Sequence, residues 1–125
     1  MKMSKKIMII EDNEDMQILY SRLFLREKEI ELIKLEKAEH AIKMLPQISP
    51  DLIIVDISLP GISGLDFTKI VHERYPDLKI VIATGHEVSR YHDQALECGA
   101  FDIISKDLSK DIVKYCKELL GNAKT

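Results

Sequence analysis

Three short, uninterrupted apolar runs limit what this chain can fold into: Ile7-Met8-Ile9-Ile10, Leu52-Ile53-Ile54-Val55 and Ile80-Val81-Ile82-Ala83. Each is bounded by polar or turn residues, and most of their residues are β-branched. That is the pattern of strands buried on both faces. Stripes of helical spacing lie between them. Asn13 is placed to N-cap a helix with Glu14 and Asp15 in its first turn and Met16, Leu19, Tyr20, Leu23 and Phe24 along one face. Ala38, Ala41, Ile42 and Leu45 form a second stripe, expected to stop at Pro46. Leu65, Ile70 and Val71 mark a third, ending near Tyr75-Pro76. A polar fourth helix runs from about Val88 to Cys98 and closes at Gly99. Leu108, Ile112, Tyr115, Cys116 and Leu119 make a fifth, which ends at Gly121. Ile30 to Leu35, broken by Lys34, reads as an edge strand, and Phe101 to Ser105 as the last strand.

Strand and helix therefore alternate five times, which implies an α/β fold with parallel strands, right-handed crossovers and helices on both faces. A length of 125 residues fits one domain, 1–125. No apolar stretch nears the roughly 20 residues that span a bilayer, so no membrane association is expected. The basic-then-apolar start is closed by Glu11-Asp12 without a small-residue cleavage site, so it reads as the first strand, and a cytoplasmic location is expected. A net charge of −3 argues against direct binding to nucleic acid. Cys98 and Cys116 have no metal-ligand spacing and are expected to be buried, inert thiols. His40, His72, His86 and His92 are expected at the surface, and residues 122–125 to fray.

The residues at the strand ends are more telling. Glu11-Asp12 follows the first strand, Asp56 ends the third, Thr84 follows the fourth and Lys106 the fifth. Parallel strands put all these ends on one rim, where open α/β sheets bind ligands. Carboxylates gathered this closely repel and raise one another's pKa unless a cation neutralises them. A hard cation with oxygen ligands suits them, and Mg²⁺ commonly takes one or two carboxylates plus phosphate oxygens and water. Singly, each residue has a plainer reading: helix cap, turn residue, loop start, solvated lysine. Four such coincidences at four strand ends are harder to dismiss.

On Glu11-Asp12, Asp56 followed by Leu59-Pro60 and Ser63-Gly64, Thr84, and Lys106 after Gly99-Ala100, the whole chain resembles a response-regulator receiver domain, the phospho-acceptor module of bacterial two-component phosphorelays. The resemblance implies a flavodoxin-like (βα)5 three-layer sandwich with a five-stranded parallel sheet of order 2-1-3-4-5. It implies Asp56 as the acceptor of a phosphoryl group from a phosphohistidine, with Thr84 and Lys106 assisting. It implies Mg²⁺ held by Asp12, Asp56 and the backbone carbonyl of Ser58, with Glu11 acting mainly through water. The implied partners are a sensor histidine kinase or histidine phosphotransfer protein, and an effector or output domain reading the face of the fourth helix, fifth strand and fifth helix. Arg90, Tyr91, Gln94 and Lys114 are candidates for that face, and Val113 and Leu120 are either core edges or part of a homodimer contact. Ser58 and His86, each two residues past a site residue, are expected to set the dephosphorylation rate. No turnover of an external substrate is expected, because phosphohydrolases of related chemistry carry a second acid where this chain has Ser58. Two positions depart from the family pattern: Ile103 stands where an aromatic is usual, and Asp107 where a proline commonly follows the lysine. Asp107 is expected to cap the last helix or pair with Lys106. These departures are the only support for the alternative, a phosphorylation-independent pseudo-receiver that acts as a binding module.

Overall fold

A computed structural model describes residues 4–107 and 111–121. Its elements are β1 (Lys5–Ile10), α1 (Glu14–Leu23), β2 (Ile30–Leu35), α2 (Ala38–Ile48), β3 (Leu52–Asp56), α3 (Gly64–Arg74), β4 (Lys79–Thr84), α4 (Val88–Glu97), β5 (Asp102–Ser105) and α5 (Ile112–Leu119). All strand pairings are parallel, and the sheet order is β2-β1-β3-β4-β5. This is the three-layer, flavodoxin-like arrangement expected. Its cause is visible in the burial: every residue of β3 is buried, so the strand must lie at the centre with helices on both sides. β2, with Glu31 and Lys34 exposed, takes an edge.

Because side chains alternate across a strand, the same strands supply two cores. Met8, Ile10, Ile53, Val55, Ile80, Ile82 and Ile103 face one side, where Ala38, Ala41, Leu45, Phe67, Val71 and Ala95 of α2, α3 and α4 pack on them. Ile7, Ile9, Leu52, Ile54, Val81, Ala83 and Ile104 face the other, against Tyr20 and Phe24 at α1 and Ile112, Cys116 and Leu120 at α5. No helix among the described residues is long and apolar enough to cross a membrane.

Several local expectations are corrected. Pro46 does not end the second helix; α2 continues through it to Ile48 and closes at Ser49, whose φ of 51° is left-handed. The packing of Ala38, Ala41 and Leu45 on the sheet outweighs the hydrogen bond that proline withholds. Leu19 and Leu23 are exposed, so the buried line of α1 narrows to Tyr20 and Phe24, with Met16 partly covered. Phe101 precedes β5 and is 51% exposed, its ring 5.3 Å from the Lys79 ammonium. The N-cap of α5 is Asp111, whose carboxylate accepts the Lys114 N–H, and not Asp107. Asp107 instead donates its backbone N–H to Ser105 Oγ in the loop. Leu108, placed in the last helical stripe, and residues 122–125 lie outside the described residues.

Candidate functional site

The strand ends converge as the parallel topology requires. β1 delivers Glu11, whose backbone N–H still bonds to Leu35 of β2, and whose side chain is only 2% exposed. One carboxylate oxygen accepts the Asn13 N–H at 3.0 Å, and the other meets the Lys106 ammonium at 2.8 Å. Asp12 follows, exposed at the rim. β3 delivers Asp56, 6% exposed, with Oδ1 accepting the Ser58 N–H at 3.1 Å and Oδ2 lying 3.5 Å from Lys106 Nζ. Carboxylate oxygens of Glu11, Asp12 and Asp56 lie within 4.8 Å of one another, a donor set of hard oxygens that fits a divalent cation. β4 delivers Thr84, fully buried, whose Oγ1 accepts the His86 N–H at 2.9 Å. Thr84 also holds the next strand's end in place, since its carbonyl accepts the Lys106 N–H at 2.8 Å.

The charges are mutually dependent. Burial pushes the Glu11 carboxyl above its ordinary value and the neighbouring Asp56 charge adds to this, while bonds from Lys106 and Asn13 pull it back. Burial alone would lower Lys106, but its hydrogen bond to Glu11 and the charges of Asp56 and Glu11 more than offset that and hold the ammonium above its ordinary value. One cation thus serves two buried acids.

The loop from Ile57 to Ser63 is anchored at three points. The Ile57 N–H bonds to Ala83 of β4, Ser63 N-caps α3 by accepting the Asp66 N–H, and the Ile62 N–H bonds to the Glu39 carboxylate of α2 at 3.3 Å. Gly64 opens α3 directly against Asp56: a Cβ there would lie 2.3 Å from the Asp56 carbonyl oxygen. Glu39 escaped sequence reasoning, because an exposed glutamate in a first helical turn has an ordinary explanation at the helix dipole.

Ser58 and His86 are both exposed beside the site, and His40 and His92 are also exposed, as expected. His72 is not a free surface group: its ring packs on Gly99, and its Nδ1 is buried without a hydrogen-bond partner among the described residues. Cys116 is fully buried, but Cys98 is only half-buried. Arg90, Gln94 and Lys114 are exposed, whereas Tyr91 is half-buried against the core. Val113 is half-buried and Leu120 buried, both in the α1/α5 core.

The curated relatives include the transcriptional regulatory protein ComA of Bacillus subtilis, 30% identical over 121 residues (94% of this chain, 56% of that protein). The transcriptional regulatory protein DegU of Brevibacillus brevis is 29% identical over 107 residues (85% of this chain, 45% of that protein). The chain therefore spans about half the length of these relatives. Among solved structures, the signal receiver domain of a signal transduction histidine kinase from Syntrophus aciditrophicus superposes with a TM-score of 0.81 at 26% identity, covering 97% of this chain and 93% of that one. The family model described as the response regulator receiver domain matches residues 7–116, nearly the whole described fold and every strand end that supplies the site. On that match the chain belongs to the response regulator receiver domain family.

Proposed function

We propose that the chain is an Mg²⁺-dependent, reversible phospho-switch in which Asp56 accepts a phosphoryl group from a phosphohistidine of a sensor kinase or histidine phosphotransfer protein. The observation that carries this reading is the Lys106 ammonium, 2.8 Å from Glu11 and 3.5 Å from Asp56: one cation stands at the acid that would react. A carboxylate oxygen of Asp56 attacks phosphorus, the N–P bond breaks, and the imidazole leaves with its electron pair. Asp12, Asp56 and the Ser58 carbonyl would hold Mg²⁺ directly, with Glu11 acting mainly through water. When bound, the ion screens the negative charge of nucleophile and phosphoryl group. Lys106 supplies a point charge to the phosphoryl oxygens and Thr84 a hydroxyl donor to one of them. Phosphorylation then biases two arrangements of the loop after Thr84 and of the α4-β5-α5 face, which an effector, an output domain or a second copy would read in the cytoplasm. No external substrate is turned over.

The test is incubation with acetyl phosphate and Mg²⁺, followed by intact mass. One phosphoryl group is gained by the wild type, and none by Asp56→Asn or by wild type in excess EDTA. A wild type that stays unmodified, and shows no response to beryllofluoride with Mg²⁺, overturns the switch in favour of the pseudo-receiver.

A further inference from the structure

The loop after β4 links Thr84 to α4 by two contacts that share one residue. The His86 backbone N–H donates to Thr84 Oγ1 at 2.9 Å, and the His86 ring meets the ring of Tyr91 at a centroid distance of 5.8 Å and a tilt of 55°. That separation and tilt lie within the range of interacting aromatic pairs. Tyr91 is half-buried and packs on the cluster that contains Val55, Ile82 and Ile103. The exposed Arg90 guanidinium stands over the Tyr91 ring, 5.6 Å from its centroid. In β5, Ile103 is 4% exposed and carries neither a ring nor a polar side-chain atom.

We propose that His86 and Tyr91 form the relay by which α4 senses Thr84, with Tyr91 as the moving ring; the proposal rests on the phospho-switch reading. A hydroxyl has one hydrogen and two lone pairs. The His86 N–H occupies a lone pair, so the Thr84 hydrogen remains free to donate to a phosphoryl oxygen. A shift of Thr84 Oγ1 toward the rim carries or breaks the bond it accepts from His86. Either change shifts the His86 ring against Tyr91. Tyr91 is half-buried against the core and carries Arg90 over its ring, so its displacement reaches the surface as a new position for Arg90. Both residues are positioning residues, and their effect passes through Thr84.

The chain has four tyrosines and no tryptophan, which makes tyrosine ring resonances a clean readout. The protein is labelled with ¹³C at the tyrosine ring ε positions, and Tyr91 is assigned by Tyr91→Phe. Beryllofluoride with Mg²⁺ is then added, as a phosphoryl mimic that does not turn over. The Tyr91 resonance is expected to shift several-fold more than that of Tyr75. In His86→Ala that shift falls to less than half, and His86→Phe, which keeps a ring, restores it. A Tyr91 resonance that stays still while amides around Asp56 and Thr84 shift overturns the relay, as does a full Tyr91 response in His86→Ala. A wild type that gains no mass from acetyl phosphate and shows no amide response around Asp56 to beryllofluoride with Mg²⁺ overturns the phospho-switch itself, and the relay with it.

Discussion

Replacing Gly64 by alanine tests how tightly the reacting carboxylate is held. A Cβ at this position would lie 2.3 Å from the Asp56 carbonyl oxygen and 2.8 Å from Ile57 Cα, where ordinary contact begins near 3.4 Å. Both obstacles are backbone atoms, so no flexible side chain can swing away. α3 and the end of β3 must separate by about 1 Å. Overpacking of this kind costs about 1–3 kcal/mol, against which alanine recovers up to about 1 kcal/mol of helix preference. Gly64 does not have a left-handed φ, so the clash acts alone. The net loss is about 1–2 kcal/mol, which lowers a urea midpoint by roughly 0.5–1 M for a domain of this size. The functional loss is larger, because a displacement near 1 Å at a reacting group costs up to about 100-fold in rate. Urea unfolding monitored by circular dichroism measures the first, and the rate of mass gain from acetyl phosphate the second. Gly85→Ala is the stability control, since nothing lies within 4 Å of a Cβ there. Equal midpoints for the two variants, with wild-type phosphorylation in Gly64→Ala, would refute the close-approach argument.

Three other predictions concern the cysteines and α2. Burial pushes the Cys116 thiol up to about 12 from 9.0, whereas Cys98 is half-buried, so a disulfide reagent at pH 8 modifies Cys98 first and Cys116 only on unfolding. The same shift sets a sign at high pH: the unfolded chain gives up this proton first, so the stability tied to Cys116 is complete below pH 9 and lost as pH rises toward 12. Urea midpoints of Cys116→Ala between pH 9 and 11 should therefore fall less steeply than wild type, by up to about 1.4 kcal/mol per pH unit. Pro46→Ala restores a donor inside α2 and should raise stability by about 1–2 kcal/mol in the same assay, after the greater freedom it gives the unfolded chain is set against the gain.

The central strands were legible because continuous apolar runs leave little choice: β3 and β4 match within one residue at each end, and β1 extends two residues earlier than its run, while β2, broken by charged residues, still matches as an edge strand. The site was legible for the same reason, since Glu11, Asp56, Thr84 and Lys106 stand where the strands stop. The helices were harder to read. Pro46 marks a helix end by its local chemistry, yet burial of Leu45 on the sheet carries α2 past it. Leu19 and Leu23 fit the spacing of a buried face, but α1 meets the sheet through Tyr20 and Phe24, with Met16 partly covered. Phe67, fully buried in α3, completes a stripe with Gly64, Thr68 and Val71 whose small and polar members hid the pattern. His72 and Tyr91 lie among polar neighbours in sequence, and only the packing of α3 on Gly99 and of α4 on the sheet covers them.

The two-sided burial of β1 and β3 has a consequence for the acids at their tips. Sliding either strand by one residue moves its end by about 3.3 Å and exchanges all its side chains between the upper and lower cores. Repulsion between Glu11 and Asp56 therefore cannot relax by creep of the backbone. The interior acts as a vice, and the grip that sets the carboxylates side by side comes from the apolar side chains along the whole length of both strands.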